Sequence, residues 1–82
     1  MELSDLVTFA AVARCGGITR AAGELNTVQS NVTNRIRALE TEAGVSLFER
    51  HARGMALTDA GRRLLPYAER LVAMSKSVPG GY

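Results

Sequence analysis

The sequence predicts a mainly α fold: a three-helix core, a short two-stranded wing and a long terminal helix. Three observations carry that prediction. Between Ile18 and Glu40 two short amphipathic runs are separated only by Asn26-Thr27-Val28. Residues 47 to 57 hold two brief apolar-rich segments around His51-Ala52-Arg53-Gly54. Residues 58 to 76 follow a long helical pattern of Leu, Val and Ala. Eighty-two residues make one small domain with little core to spare. With two Phe, two Tyr and no Trp, Leu, Val, Ile and many Ala must fill the interior.

The first helix is expected over residues 3 to 15. Leu6, Phe9, Ala10 and Ala13 share one face, with Leu3 and Val12 at its edges and Glu2, Asp5 and Arg14 toward water. Ser4 is available to cap its start. Gly16-Gly17 ends it, supplying a left-handed exit. The second helix covers 18 to 25, with Ala21, Ala22 and Leu25 inward; the small residues let the next helix cross closely. Gly23 inside it costs about 1 kcal/mol relative to Ala, either because packing requires the absent side chain or because the loss is tolerated.

The third helix, at about 29 to 42, is the one around which the chain is organised. Val32, Ile36 and Leu39 fall at i, i+4 and i+7 and make its inward stripe. Gln29, Ser30, Thr33, Asn34 and Arg37 collect on the other side, with Arg35 at the flank. Short or bidentate donors and acceptors of this kind read base edges or hold phosphates. No Asp or Glu occurs from Gln29 until Glu40, so nothing there repels a polyanion. Thr27 is the nearest residue able to cap the helix, since Val28 has no side-chain oxygen. Gly44 closes it. Glu40 and Glu42 sit unfavourably near its negative end, which suggests that they meet Arg residues elsewhere.

Leu47-Phe48-Glu49-Arg50 reads as a strand, residues 51 to 54 as a turn, and Met55-Ala56-Leu57 as the returning strand. A ribbon this short is unstable alone, so Leu47, Phe48 and Leu57 must fasten it to the helices. Its tip carries His51 and Arg53. In a winged helix-turn-helix that tip lies by the minor groove, whose negative channel attracts Arg.

Thr58 caps the last helix, which would extend roughly 28 Å. Leu64, Leu65, Ala68, Leu71, Val72 and Ser75 make a strip wider than the domain can cover, which implies a second copy packed against it. Pro66 cannot donate to the carbonyl of Arg62 and should kink the helix.

Net charge is only +2, so distribution says more than the total. The cations are nine Arg and a single Lys, and Arg suits bidentate phosphate and guanine contacts. From Arg50 to Arg63 four Arg face only Asp59. Cys15 is the sole cysteine, which excludes an intrachain disulfide and fits a reducing cytoplasm. With one Cys and one His no metal-ligand set or catalytic pairing is expected, and no cofactor. The acidic first residues are unlike a secretory signal, and no apolar run approaches a membrane span.

Phe9, Ala21-Ala22, Leu25, Gln29, Val32, Thr33, Ile36, Leu39, Glu40, Gly44, Leu47-Phe48-Glu49-Arg50, Leu57-Thr58 and Ala60-Gly61 stand at spacings that resemble the DNA-binding domain of LysR-type transcriptional regulators. The resemblance covers nearly all of residues 2 to 76. It implies a winged helix-turn-helix over 1–57, a linker (dimerisation) helix over 58–76, and at 77–82 the start of a hinge to an effector domain. It further implies a cytoplasmic bacterial regulator that binds a double-stranded DNA operator as a homodimer, tetrameric only at full length. On this reading Gln29, Ser30 and Asn34 reach base edges. Thr33, Arg35, Arg37 and Arg50 hold the backbone, and Arg53 enters the minor groove. The pairing residues are Leu64, Leu65, Ala68, Leu71 and Val72. The chain departs from the family at Val28 and Gly17, where Ser is usual, and at Asn34, often Arg or Lys. Asn at that position favours adenine. A protein-interaction module is the competing class, disfavoured by the lack of aromatic anchors on the third helix. A small enzyme lacks any paired carboxylates or nucleophile–base set.

Overall fold

The structure of the protein, a computed structural model, describes residues 1–77. The expected hinge lies outside them from residue 78 onward. Six elements follow in chain order: α1 (Leu3–Cys15), α2 (Ile18–Glu24), α3 (Gln29–Ala43), β1 (Phe48–His51), β2 (Gly54–Leu57) and α4 (Asp59–Ser77). The order is that of a winged helix-turn-helix followed by a long helix.

α1 is the central post, touching α2, α3, α4 and β2. Burial is therefore nearly all round it: Leu6, Phe9, Ala10, Ala11 and Val12 are buried. Val12, expected at an edge, is fully enclosed, whereas Leu3 is exposed. Ser4 does not cap α1. Glu2 holds the cap position, and the Asp5 carboxylate accepts the Glu2 N–H at 3.2 Å. Gly16, at φ +75°, closes the helix and donates its N–H to the carbonyl of Val12.

The break between α2 and α3 is built by Asn26, at φ +59°. The N–H of Asn26 reaches the carbonyl of Gly23 at 3.2 Å, and that of Thr27 reaches the carbonyl of Ala22 at 2.9 Å. This paired closure satisfies the orphan carbonyls of a helix end, and Asn is one of the few residues besides Gly that tolerates the left-handed position. A β-carbon on Gly23 would meet nothing within 4 Å, so its helix cost is tolerated rather than required by packing. Thr27 does not cap α3. Val28 occupies that position without a side-chain bond, and the Thr27 hydroxyl instead accepts from Asn31 Nδ2 at 2.9 Å.

Val32, Ile36 and Leu39 turn inward as expected and join Phe9, Val12, Ala21, Ala22, Leu47, Phe48 and Ala68 in one core. The Phe9 and Phe48 rings pack at 5.3 Å between centroids, tilted by 53°. Among the described residues neither Glu40 nor Glu42 pairs with an arginine. Glu40 Oε2 accepts the N–H groups of Leu47 (2.7 Å) and Phe48 (3.3 Å), which ties the wing to α3. Glu42 lies 2.5 Å from the Met1 ammonium and raises its pKa by that hydrogen bond.

The wing pairs antiparallel from Phe48↔Leu57 to His51↔Gly54, leaving only Ala52 and Arg53 as its turn. His51 and Gly54, expected in the turn, are thus strand residues, and Leu47 precedes the strand. Only glycine fits at position 54, where φ is +144° and a β-carbon would sit 2.3 Å from the Gly16 carbonyl oxygen. That same oxygen accepts the Met55 N–H at 3.0 Å. The wing is therefore pinned to the α1–α2 turn.

Thr58 caps α4, its hydroxyl accepting the Gly61 N–H at 3.1 Å and donating to the Ser46 carbonyl at 2.7 Å. α4 continues helically past Pro66. Its apolar strip divides in a way spacing did not anticipate. Ala68 is fully buried in the domain's own core, and Leu64 and Leu65 pack partly against it. Ala68 therefore cannot touch a second chain. The surface left open carries Tyr67 (64% exposed) and Leu71 (45%), with Val72 half-buried.

Candidate nucleic-acid interface

The polar face of α3 stands clear of the domain. Ser30, Asn34, Arg37 and Thr41 are exposed on the side opposite Val32, Ile36 and Leu39, as a period of 3.6 requires. Gln29, exposed, and Thr33, half-buried, lie on the flank turned toward the wing. There they line a cleft of 660 Å³ with Arg20, Arg50, His51 and Arg53. A smaller cleft of 150 Å³ brings Thr33, Arg37 and Arg50 together beside Glu40. Seven of the eight residues singled out for nucleic acid, all but Arg35, thus fall on one continuous surface made by α3 and the wing.

The charge on this surface is mainly positive, its one acid along the clefts, Glu40, being bonded to the Leu47 and Phe48 N–H groups. The ion pairs of the described residues engage Arg14, Arg35 and Arg62. Arg20, Arg37, Arg50 and Arg53 are in none of them, so four guanidinium groups point at solvent along the same face. On the wing Glu49 lies 3.7 Å from His51 Nε2 and is the acid closest to the tip. β-alternation sends Glu49 to the face opposite Arg50, so it does not neutralise the α3 side.

Arg35 goes elsewhere. Its Nη1 donates to Ser4 Oγ at 2.8 Å and lies 3.4 Å from Asp5 Oδ1. It is committed to α1 rather than to the outward face, because position 35 falls a third of a turn away from Ser30 and Asn34 on the α1 side.

Two contributors were missed by sequence reasoning. Neither Arg20 nor Thr19, on α2, was among the residues singled out for nucleic acid, yet both line the main cleft. No local signal could have found Arg20, because Glu24 stands four residues on as an apparent partner; only the fold gives Glu24 to Arg14 and Cys15 instead. Among the described residues no group of three His, Cys, Asp or Glu could hold a metal ion, and no helix is long and apolar enough to cross a membrane.

Comparison with known proteins places this arrangement. Residues 3–62 match the family model described as the bacterial regulatory helix-turn-helix protein, lysR family. The chain belongs to that family. The chain is also similar to the uncharacterized HTH-type transcriptional regulator YusT of Bacillus subtilis (strain 168), 53% identical over 74 residues, 90% of this chain and 25% of that protein. The fold superimposes on the CbnR_DBD–DNA complex with a TM-score of 0.87 at 39% identity, covering 93% of this chain and 87% of that one. It also superimposes on the BenM_DBD/benA site 1 DNA complex with a TM-score of 0.86 at 34% identity, covering 93% and 88%. The chain spans about a quarter of the length of the HTH-type transcriptional regulators it matches. The family is one of transcriptional regulators, which is not an enzyme class.

Proposed function

We propose that residues 1–57 are the DNA-reading head of a LysR-type transcription regulator and that α4 pairs two such heads. The observation that carries this reading is the joint surface of α3 and the wing: polar, acid-free along α3 from Gln29 to Leu39, and lined by four arginines without carboxylate partners. α3 enters the major groove. Gln29, Ser30 and Asn34 read base edges, Asn34 pairing with adenine. Thr33, Arg37 and Arg50 hold phosphates, joined by Arg20. Arg53 at the wing tip enters the minor groove, where the potential is most negative. The structural relatives named above include two solved with DNA, which supports the same docking.

Selection from a randomised duplex pool is expected to enrich a defined operator half-site. Gln29→Ala is expected to lower affinity for that sequence by about 1–3 kcal/mol while leaving binding to unrelated duplex nearly unchanged. An unaltered ratio of specific to non-specific affinity would remove Gln29 from the reading set. A steep fall in affinity with salt separates this function from that of a protein-interaction module.

A homodimer places two recognition helices about one DNA turn, roughly 34–36 Å, apart or farther. Tyr67, Leu71 and Val72 offer the open part of α4, with Leu64 and Leu65 at its margin. Sedimentation is expected to give a dimer that Leu71→Arg converts to monomer; a monomer at high wild-type concentration would exclude this pairing. A cytoplasmic regulator without a cofactor in this domain, tetrameric only with the remaining three quarters of its relatives' length, completes the proposal.

A further inference from the structure

The flank of α3 turned away from the wing is held by the first five residues of the chain. Arg35 and Glu42 stand seven residues, two turns, apart on that flank. Arg35 Nη1 bonds Ser4 Oγ at 2.8 Å and faces Asp5 Oδ1 at 3.4 Å. Glu42 Oε2 lies 2.5 Å from the Met1 ammonium. Asp5 is itself fixed: its side chain is 13% exposed, and its second oxygen accepts the Glu2 N–H. The start of α1 therefore lies along α3 and grips it at two levels. About the apolar stripe of Val32, Ile36 and Leu39 a helix can roll, and on the wing side only the Glu40 bonds to the Leu47 and Phe48 N–H groups restrain it among the side-chain hydrogen bonds of the described residues. A lateral grip on one flank opposes that roll.

Resting on the DNA-reading function above, we propose that Arg35 is a positioning residue, clasped by Ser4 and Asp5, that sets the roll of α3 and hence which base edges Gln29, Ser30 and Asn34 reach. The alternative role for an arginine beside a recognition helix is a phosphate contact, and the two leave different signatures. Removing a phosphate contact lowers affinity alike on all sequences and flattens the dependence of log K on log salt by about 0.9. Removing a positioning residue lowers affinity for the preferred sequence selectively and leaves that slope in place. The pair is part-buried, with Arg35 40% and Asp5 13% exposed, and its N–O separation of 3.4 Å is long, so the clasp adds only modestly to stability and acts on geometry more than on folding.

The test compares Arg35→Met, Asp5→Asn and the double variant with the wild-type domain on its selected duplex and on a scrambled one, across a salt series. Asn at position 5 can still accept the Glu2 N–H, so α1 keeps its start. The ratio of specific to non-specific affinity cancels the added net charge. Each single variant is expected to reduce that ratio roughly five-fold, and the double variant no further than either single, as two halves of one contact do. The salt slope stays at the wild-type value, and melting falls by no more than about 5 °C. A slope reduced by about 0.9 for Arg35→Met with Asp5→Asn unaffected makes Arg35 a phosphate contact and overturns the proposal. Unchanged ratios in all variants overturn it as well. A wild-type domain that selects no duplex overturns instead the DNA-reading function on which the proposal stands.

Discussion

Replacing Gly61 by alanine is expected to lower the unfolding free energy by roughly 2 kcal/mol, although alanine is the better helix former. The β-carbon would fall 2.2 Å from the Leu47 carbonyl oxygen and 2.8 Å from Leu57 Cδ2. Leu57 can rotate away; the carbonyl cannot, because it accepts the Thr58 N–H at 3.1 Å and so fastens the α3–β1 connection to the start of α4. Overpacking against fixed atoms costs about 1–3 kcal/mol and at times more. Helix propensity returns about 1 kcal/mol at most. The steric term wins. Gly23→Ala is the matched control: nothing lies within 4 Å of its β-carbon, so the same chemical change is expected to stabilise by about 0.5–1 kcal/mol. Thermal melts should therefore move in opposite directions, Gly61→Ala downward by roughly 8–16 °C. A melting point for Gly61→Ala equal to or above wild type would show that α4 is not seated on the Leu47 carbonyl.

Glu40→Ala is expected to cost about 2–3 kcal/mol and to detach the wing from the recognition helix. One carboxylate oxygen accepts two main-chain N–H groups, those of Leu47 and Phe48, at a point where both side chains are buried. Charge-assisted bonds contribute about 1.5–3 kcal/mol, and a partly buried donor left without an acceptor costs further. Glu40→Gln keeps a carbonyl oxygen on the same stem and is expected to recover at least half of the loss. Urea unfolding distinguishes the pair by midpoint at constant slope. Because Arg50 lies on the strand that Glu40 anchors and Arg53 in the turn that follows it, Glu40→Ala should also weaken DNA binding on specific and unrelated duplex alike. An alanine variant as stable as the glutamine variant would mean that the two N–H groups find water instead.

Much of the fold was legible because its signals are local. Gly16 and Gly44 mark helix ends, since a left-handed closure selects glycine. Thr58 was readable as a cap because a hydroxyl three residues before Gly61 serves its N–H. Val32, Ile36 and Leu39 were readable as an inward stripe from period alone. The outward set Gln29, Ser30, Thr33, Asn34 and Arg37 followed as its complement. The errors share a cause. Thr27 was preferred to Val28 as cap on chemistry, but the phase of the helix put Val28 there. Leu3 and Val12 were ranked alike because a helical wheel gives no account of how many neighbours surround α1. The wing strands shifted by one residue because Gly54 is required by its approach to Gly16, a contact 38 positions away in the chain.

Local order in the sequence determined where the helices begin and end, which side of α3 faces the interior, and that nine of the ten Lys and Arg residues are arginines. Periodicity and capping act over one or two turns, and one chain is enough to read them. Partner choice was decided only by the tertiary structure: Arg35 for Asp5 and Ser4, Glu40 for the wing amides, Ala68 for the core rather than a second copy, and Arg20 for the cleft of the recognition surface. Side chains of these types are competent for several partners, and which one is met depends on elements brought together across dozens of residues.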